Sequence, residues 1–224
     1  VAFGVPDAER RAALEKHVGL KPKPLDFALY DREDQAWLVH TFSCHFTFMY
    51  DRAFYDPEKD EYAVEAFLDD GNREFGGYDA VLLWHAYPRI GLDDRNQFDF
   101  YRDMPGGLEG LRDVVGRFHA RGVKVFINYN PWDRATRREE VSDEIALAEM
   151  VAALDADGIF LDTMFASSPG LRAEVDDRRY GVVFVPEAHP KAEDLAELAG
   201  SWAQFPPNPF SPALLHNKWP DQRH

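Results

Sequence analysis

Cys44 is the only cysteine in this 224-residue chain, so no intrachain disulfide can staple it and no cysteine cluster can hold a metal. No apolar run approaches the roughly 20 residues that a bilayer-spanning helix needs. No charged-then-apolar leader opens the given residues either, so the reading is a soluble domain, cytoplasmic or secreted, with no signal peptide in this stretch. The first residue is Val1 rather than Met, as in a fragment of a longer protein. Positive charge is scarce: 25 Lys and Arg stand against 40 Asp and Glu, a formal charge of -15. Such a surface repels phosphate backbones and anionic lipid, so neither nucleic acid nor membrane is an expected partner, and a neutral or cationic ligand fits better. No GxGxxG or Walker-type loop follows a strand pattern, which weakens nucleotide binding. What remains is an ordinary apolar content of 45% and 14% aromatics, enough to bury a large core in one domain of the α/β-barrel size class.

Apolar periodicity gives the architecture. Residues 1–34 combine a short helical pattern (Ala12, Ala13, Leu14, Val18) with the proline-punctuated Lys21–Pro24, an N-terminal helical and linker segment; residues 35–224 form the barrel domain. Trp37–Phe42 is the first strand candidate, and Tyr62–Leu68 a helix with Gly71 as its stop. Ala80–Trp84, Val123–Asn128, Ile159–Leu161 and Val182–Val185 are short apolar runs of the kind found in strands covered on both faces. Between them lie helical faces: Leu108, Leu111, Val114, Val115 and Phe118, then Ile145 to Leu154 behind the capping residue Ser142, then a short helix within Leu171–Tyr180. Pro190–Trp202 is a further helix candidate, and Ala213–His216 the start of a sixth strand. Strand and helix alternate about every 25 to 35 residues, which implies parallel strands joined by crossover helices. An incomplete (β/α)8 TIM-type barrel of about six units is the leading architecture, because a full barrel typically takes about 250 residues. An open doubly wound sheet is the alternative.

The strand exits carry the chemistry. Trp84 and His85 end one strand, with Tyr87 just beyond. Asn128 ends the next, followed by Asn130, Trp132 and Asp133. Asp162 ends the Asp157–Leu161 stretch, Glu187 ends the following strand with His189 beyond, and His216 and Lys218 follow the last candidate. Acids on adjacent parallel strands, which lie about 4.8 Å apart, are spaced on the scale that cleaves glycosidic bonds, one carboxyl as nucleophile or base and the other as proton donor. Nearby aromatics (Trp84, Tyr87, Trp132, Phe165) can face a sugar ring, while Asn, His and Arg can bind its hydroxyls. Asp162 and Glu187 are the catalytic candidates. Trp84, His85, Tyr87, Asn128, Asn130, Trp132, Asp133, His189, His216 and Lys218 are the substrate-binding candidates, and no cofactor or metal is expected. Each has a plain structural alternative: Asp162 can cap the next segment, Asn128, Asn130 and Asp133 can satisfy turn backbone groups, and His85 and His189 can be hydrogen-bonded structural histidines. Asp93, Asp94, Asn96 and Asp99 lack the spacing of an EF-hand loop and read as a solvated acidic loop.

Gly122–Asn128, Asp157–Asp162 and Val183–Glu187, with the helix before them, resemble the middle of TIM-barrel glycoside hydrolases of the α-amylase, α-glucosidase and α-galactosidase kind, over roughly half of the chain. The resemblance implies a glycosidase with a carbohydrate substrate. By position Asp162 would be the nucleophile and, in the α-amylase manner, Glu187 the proton donor. The motifs depart from each member family: Phe160 stands where the α-amylases carry an arginine, Asn128-Tyr129-Asn130 replaces their histidine motif, and Leu161-Asp162-Thr163-Met164 replaces the Trp-Asp-Met-Asn of the α-glucosidases. Two other readings stay open, an enolase-type barrel holding Mg²⁺ on Asn128, Asp162 and Glu187, and a non-catalytic carbohydrate-binding barrel.

Overall fold

A computed structural model describes residues 32–85, 93–134, 136–191, 194 and 197–202. A 3₁₀ helix, Glu33–His40, leads into β1 (Cys44–Phe48). A small antiparallel ribbon of β2 (Tyr55–Asp56) and β3 (Glu61–Tyr62) precedes α1 (Val64–Phe75). From there strand and helix alternate: β4 (Ala80–Trp84), α2 (Gln97–Arg102), α3 (Gly107–Ala120), β5 (Lys124–Tyr129), α4 (Asp143–Leu154), β6 (Gly158–Leu161), α5 (Pro169–Arg178) and β7 (Val183–Pro186). β1, β4, β5, β6 and β7 form one parallel sheet in that order.

Each new strand is therefore added on the same side of the last. A right-handed crossover repeated in one direction lays every helix on the same face. Val81, Leu83, Val125, Ile127, Ile159, Leu161 and Phe184 all join the helices α1 to α5 in one core cluster. Their alternate neighbours Ala80, Leu82, Phe126, Phe160, Val183 and Val185 form a second cluster on the opposite face, against which Trp37, Leu38, Ala199 and Trp202 pack among the described residues. Sequential strand order with helices on one face is the winding of a barrel wall and not of a doubly wound sheet, so the described residues form an incomplete (β/α) barrel with five strands. The proposed sixth strand, at 213–216, and the helical pattern at 12–18 lie outside the described residues.

Four local expectations are corrected. Trp37–Phe42 is not a strand: most of it lies in the 3₁₀ helix, where Trp37 packs edge-on to Phe126 with ring centres 6.1 Å apart. Trp37 and Leu38 of this segment cover the open face of the sheet. Gly71 does not stop α1, which runs on to Gly76 at φ 85°; Gly71 is required because a Cβ there would come within 2.2 Å of the Tyr78 ring. The helix expected over Pro190–Trp202 does not reach its predicted end, since residues 198–202 are irregular, while residues 192, 193, 195 and 196 lie outside the described residues. Ala199 and Trp202 instead donate their N–H groups to Phe184 O and Pro186 O, 3.1 Å in each case, and so occupy the outer edge of β7. Finally, Asn96 and Asp99 are not simply solvated: they make a reciprocal capping box that starts α2.

At the opposite end of the sheet from the strand exits, Asp157 ties three elements together. Its carboxylate accepts from His119 Nε2 at 2.6 Å, Lys124 Nζ at 3.0 Å and Val125 N at 2.9 Å. Burial acts against the charged form, but these bonds outweigh it and hold the carboxyl below its ordinary range. Immediately after it, Gly158 leaves room for the Phe126 ring, which lies 2.2 Å from where a Cβ would sit. Replacing Asp157 with Ala is expected to cost about 2–4 kcal/mol in urea unfolding at pH 7, by removing a buried charge from partners that stay behind. Because its folded pKa is depressed, its contribution is present above the ordinary carboxylate value and is lost as pH falls below it. The gap between wild type and Asp157→Ala should accordingly narrow in acid.

Candidate active site

Side chains alternate along each strand, so the face opposite the helices continues upward from Leu82 to Trp84, from Phe126 to Asn128 and Asn130, from Phe160 to Asp162, and from Val185 to Glu187. The apolar layer below is the second core cluster. At the C-terminal rim the same rows turn polar. The ladder carries the backbone of both acids: Asp162 N donates to Tyr129 O at 2.9 Å and Glu187 N to Leu161 O at 3.1 Å. These carboxyls therefore leave a rigid wall rather than a free loop.

Asp162 is buried, at 4% exposure. Asn130 Nδ2 donates to its Oδ2 at 3.1 Å, and the Asn128 and Trp84 side chains also approach it and favour its charged form. Burial and the neighbouring negative charge of Glu187 act more strongly and push its pKa up to about 6. Glu187 is half-buried, and its Oε2 accepts from Thr163 N at 2.8 Å. Thr163 sits at φ 59°, a left-handed conformation that costs a β-branched residue on the order of 1–3 kcal/mol. The strained turn thus lies between the two acids, and the N–H it presents holds the second of them.

The amides are held in turn. Asn128 Nδ2 lies 3.3 Å from Nε2 of the buried His85, whereas Asn128 Oδ1 is buried with no hydrogen-bond partner. Asn130 Oδ1 accepts from Trp132 N at 3.3 Å. The Trp84 ring packs against Phe46 and Phe48, with centres 5.0 and 5.7 Å away. Trp84, His85, Asn128, Asn130, Asp162 and Glu187 are thus brought together, with Trp132 alongside.

The other candidates are placed differently. Asp133 is buried behind the rim, where its Oδ2 accepts from Gln97 N at 2.8 Å and its Oδ1 from the Thr136 hydroxyl. His189 is exposed, its Nδ1 3.1 Å from Pro190 O. Tyr87, His216 and Lys218 lie outside the described residues. Among those described, no three His, Cys, Asp or Glu side chains are grouped so as to hold a metal ion, and no helix is long and apolar enough to cross a membrane. Two residues of the site's support carry no expectation from the sequence, Gln97 and Tyr101. The pattern Asn96-x-x-Asp99 inside a supposed loop was the available signal for the helix that bears them.

No family model matches this chain, and no curated protein matches it. Solved structures do resemble it. A cyclomaltodextrinase aligns with a TM-score of 0.49 at 13% identity, over 75% of this chain and 42% of its own. A debranching enzyme from Nostoc punctiforme gives 0.47 at 13%, over 75% and 52%. An α-N-acetylgalactosaminidase from Bifidobacterium bifidum gives 0.47 at 14%, over 85% and 41%. The chain spans about half or less of the length of these structures.

The raised pKa of Asp162 has a thermodynamic sign. A carboxyl whose folded pKa lies above its unfolded value of 3.8 binds its proton more tightly in the folded state, so the stability it contributes is present below that value and is lost as pH rises through about 6. At pH 7 the folded protein carries a cost of up to roughly 3 kcal/mol from this one group. Asp162→Asn is expected to raise stability by about 1–3 kcal/mol at pH 7 and to change it little at pH 4. Unfolding midpoints at the two pH values measure this, and equal or lower stability of the variant at pH 7 would contradict it.

Proposed function

We propose that this chain is the barrel domain of a glycosidase in which Asp162 and Glu187 form the catalytic pair. The observation that carries the reading is the placement of the two carboxyls at adjacent strand exits, near enough for the charge of Glu187 to act on Asp162, with the Asn130 amide donating to the first and the Thr163 N–H to the second. A separation of about 5–5.5 Å between the two carboxyl groups would go with retention of configuration, and one of about 6.5–9.5 Å, which leaves room for an attacking water, with inversion.

Asp162, ionised above about pH 6, attacks the anomeric carbon with its oxygens oriented by the amide donors. Glu187 donates a proton to the departing oxygen through the carboxyl oxygen that Thr163 leaves free, and afterwards takes one from water. Asn128 Oδ1, buried and unpartnered, offers an acceptor to a sugar hydroxyl, and Trp84 with Phe46 and Phe48 offers ring faces. The carbohydrate substrate also suits a surface of charge -15, which does not repel a neutral ligand.

The raised pKa of Asp162 favours one second reading, with the roles exchanged: Asp162 holds the proton and Glu187 attacks. The two differ in pH dependence. With Asp162 as nucleophile, kcat/KM on an aryl-glycoside rises through about pH 6; with Asp162 as acid it falls there.

A panel of aryl-glycosides tests the proposal. Hydrolysis is expected from the wild type, with losses of about 10³-fold or more in Asp162→Asn and in Glu187→Gln while the fold persists. A 2-fluoro sugar should label Asp162, or Glu187 under the exchanged roles. Hydrolysis indifferent to both substitutions would sink the pairing. Sensitivity to a chelator would point to the magnesium enzyme, and sugar binding that survives both changes without any turnover would point to a binding module.

A further inference from the structure

The short helix α2 is joined to the candidate site by two side chains that stand where strand hydrogen bonds would otherwise be. Gln97 is fully buried, and its side-chain amide pairs with the backbone of Asn130 at both ends: Gln97 Nε2 donates to Asn130 O at 2.9 Å, and Asn130 N donates to Gln97 Oε1 at 2.7 Å. One turn later on the same face of α2, the buried hydroxyl of Tyr101 donates to Leu83 O at 2.7 Å and accepts from Asn128 N at 2.9 Å. The last paired residues of β4 and β5 are Leu83 and Ile127. The Tyr101 oxygen is therefore inserted between a carbonyl and an N–H that face each other just beyond the ladder. The two strands part at this level, and α2 fills the gap.

Both backbone segments held in this way carry amides that reach Asp162. Asn130 Nδ2 is bonded to Asp162 Oδ2, and the Asn128 side chain approaches the same carboxylate and lies against His85. The helix is itself fixed from outside. Asp133 accepts from Gln97 N, the capping box closes its first turn, and Glu139 accepts from Asn96 Nδ2 at 2.6 Å and from Arg102 at 2.8 and 2.9 Å.

We propose that Gln97 and Tyr101 are positioning residues, which hold Asn130 and Asn128 against the Asp162 carboxylate and so set how readily that carboxyl gives up its proton. Neither touches the carboxylate. Gln97 acts through Asn130, and Tyr101 acts through Asn128. The groups that act on Asp162 directly are the Glu187 carboxyl from the β7 exit, the Trp84 indole from β4 and the two amides from β5; His85, beyond β4, acts through Asn128. Only the amides depend on α2.

The proposal gives the Asp162–Glu187 site of the previous section its support, but it can be read without turnover. The titration of the Asp162 side-chain carboxyl carbon, followed by NMR on labelled protein, reports the positioning whether or not the site hydrolyses glycosides. Loss of activity in every form alongside a shifted titration would reject the glycosidase reading and keep this one. Gln97→Met keeps the length of the side chain and removes both bonds to Asn130. It is expected to weaken the acidity of Asp162 about three- to tenfold, the size of one lost hydrogen bond to the charged form. Asn130→Ala should do the same, and the double variant should add nothing to Asn130→Ala alone.

Tyr101→Phe, which removes one oxygen, should shift the same titration in the same direction and supplies the test if Gln97→Met does not fold. On an aryl-glycoside the expectation for each variant is a change in kcat and in the pH profile, with KM nearly unchanged. An Asp162 titration that stays at its wild-type position in folded Gln97→Met or Tyr101→Phe would overturn the proposal, as would effects of Gln97→Met and Asn130→Ala that simply add.

Discussion

The parallel ladder does not stop where the strands do. Beyond Leu161 and Pro186 the next backbone N–H groups, those of Asp162 and Glu187, still donate to the strand before them. That continuation places two acids side by side on the face opposite the helices, since side-chain direction in an extended chain follows backbone pairing with period two. Were β6 to slip by one residue, Phe160 would exchange faces with Leu161 and Asp162 would turn toward the helices, and a slip of β7 would do the same to Val185, Pro186 and Glu187. The packing of Ile159, Leu161 and Phe184 against the helices holds the register. Burying each such side chain is worth roughly 1.5–3 kcal/mol, so the site inherits its geometry from the core beneath it.

The rim built on this wall works against stability. A buried carboxyl with a raised pKa, a threonine in the left-handed region and an amide oxygen without a partner all stand at the exits of two adjacent strands. Strain and unsatisfied polarity of this kind persist only where the surroundings over-determine them, and they gather at functional sites. The other end of the sheet is built differently. There Asp157 carries a buried charge too, but every neighbour is a cation or an N–H group. The two aspartates that bracket β6 thus have opposite shifts from ordinary values because one faces donors and cations while the other faces a second acid.

Between the wall and the rim stands α2. The break in pairing after Leu83 and Ile127 would leave an N–H and a carbonyl unpaired in a dry interior, at a cost of about 1–3 kcal/mol for each orphaned group. The Tyr101 hydroxyl takes up both of these groups, Leu83 O and Asn128 N, and the Gln97 amide does the same for the carbonyl and N–H of Asn130. A network in which every member is bonded has one arrangement, and one arrangement is what an oriented amide pair beside a carboxylate requires. The ion pair of Arg102 with Glu139 and the hydrogen bond from Asn96 to the same carboxylate carry this rigidity outward into the loop that follows β5.

Much of the frame was legible from residues alone. Ala80–Trp84, Lys124–Tyr129, Gly158–Leu161 and Val183–Pro186 are short apolar runs with helical faces between them, and that alternation dictates parallel strands with their exits on one edge. It also identifies Asp162 and Glu187 as exit residues, because a polar side chain that follows a buried run marks the end of a strand. What composition could not separate was a strand from an aromatic cover: Trp37–Phe42 has the makeup of one and acts as the other, since only the position of the sheet decides whether those side chains pair or pack. Side-chain partners were equally hidden. Asp133 looks like Asp162 in the sequence, yet it meets the N–H of Gln97, 36 residues earlier. Gln97 itself carries no local mark of its bond to Asn130, 33 residues later. Periodicity is a property of neighbours along the chain, so the sequence alone determined the four strands between Ala80 and Pro186, their order and the residues at their exits. Contact across dozens of residues exists only after the chain closes on itself, and so the tertiary structure alone decided on which face each polar group lies, which groups meet there, and which proton is held most tightly.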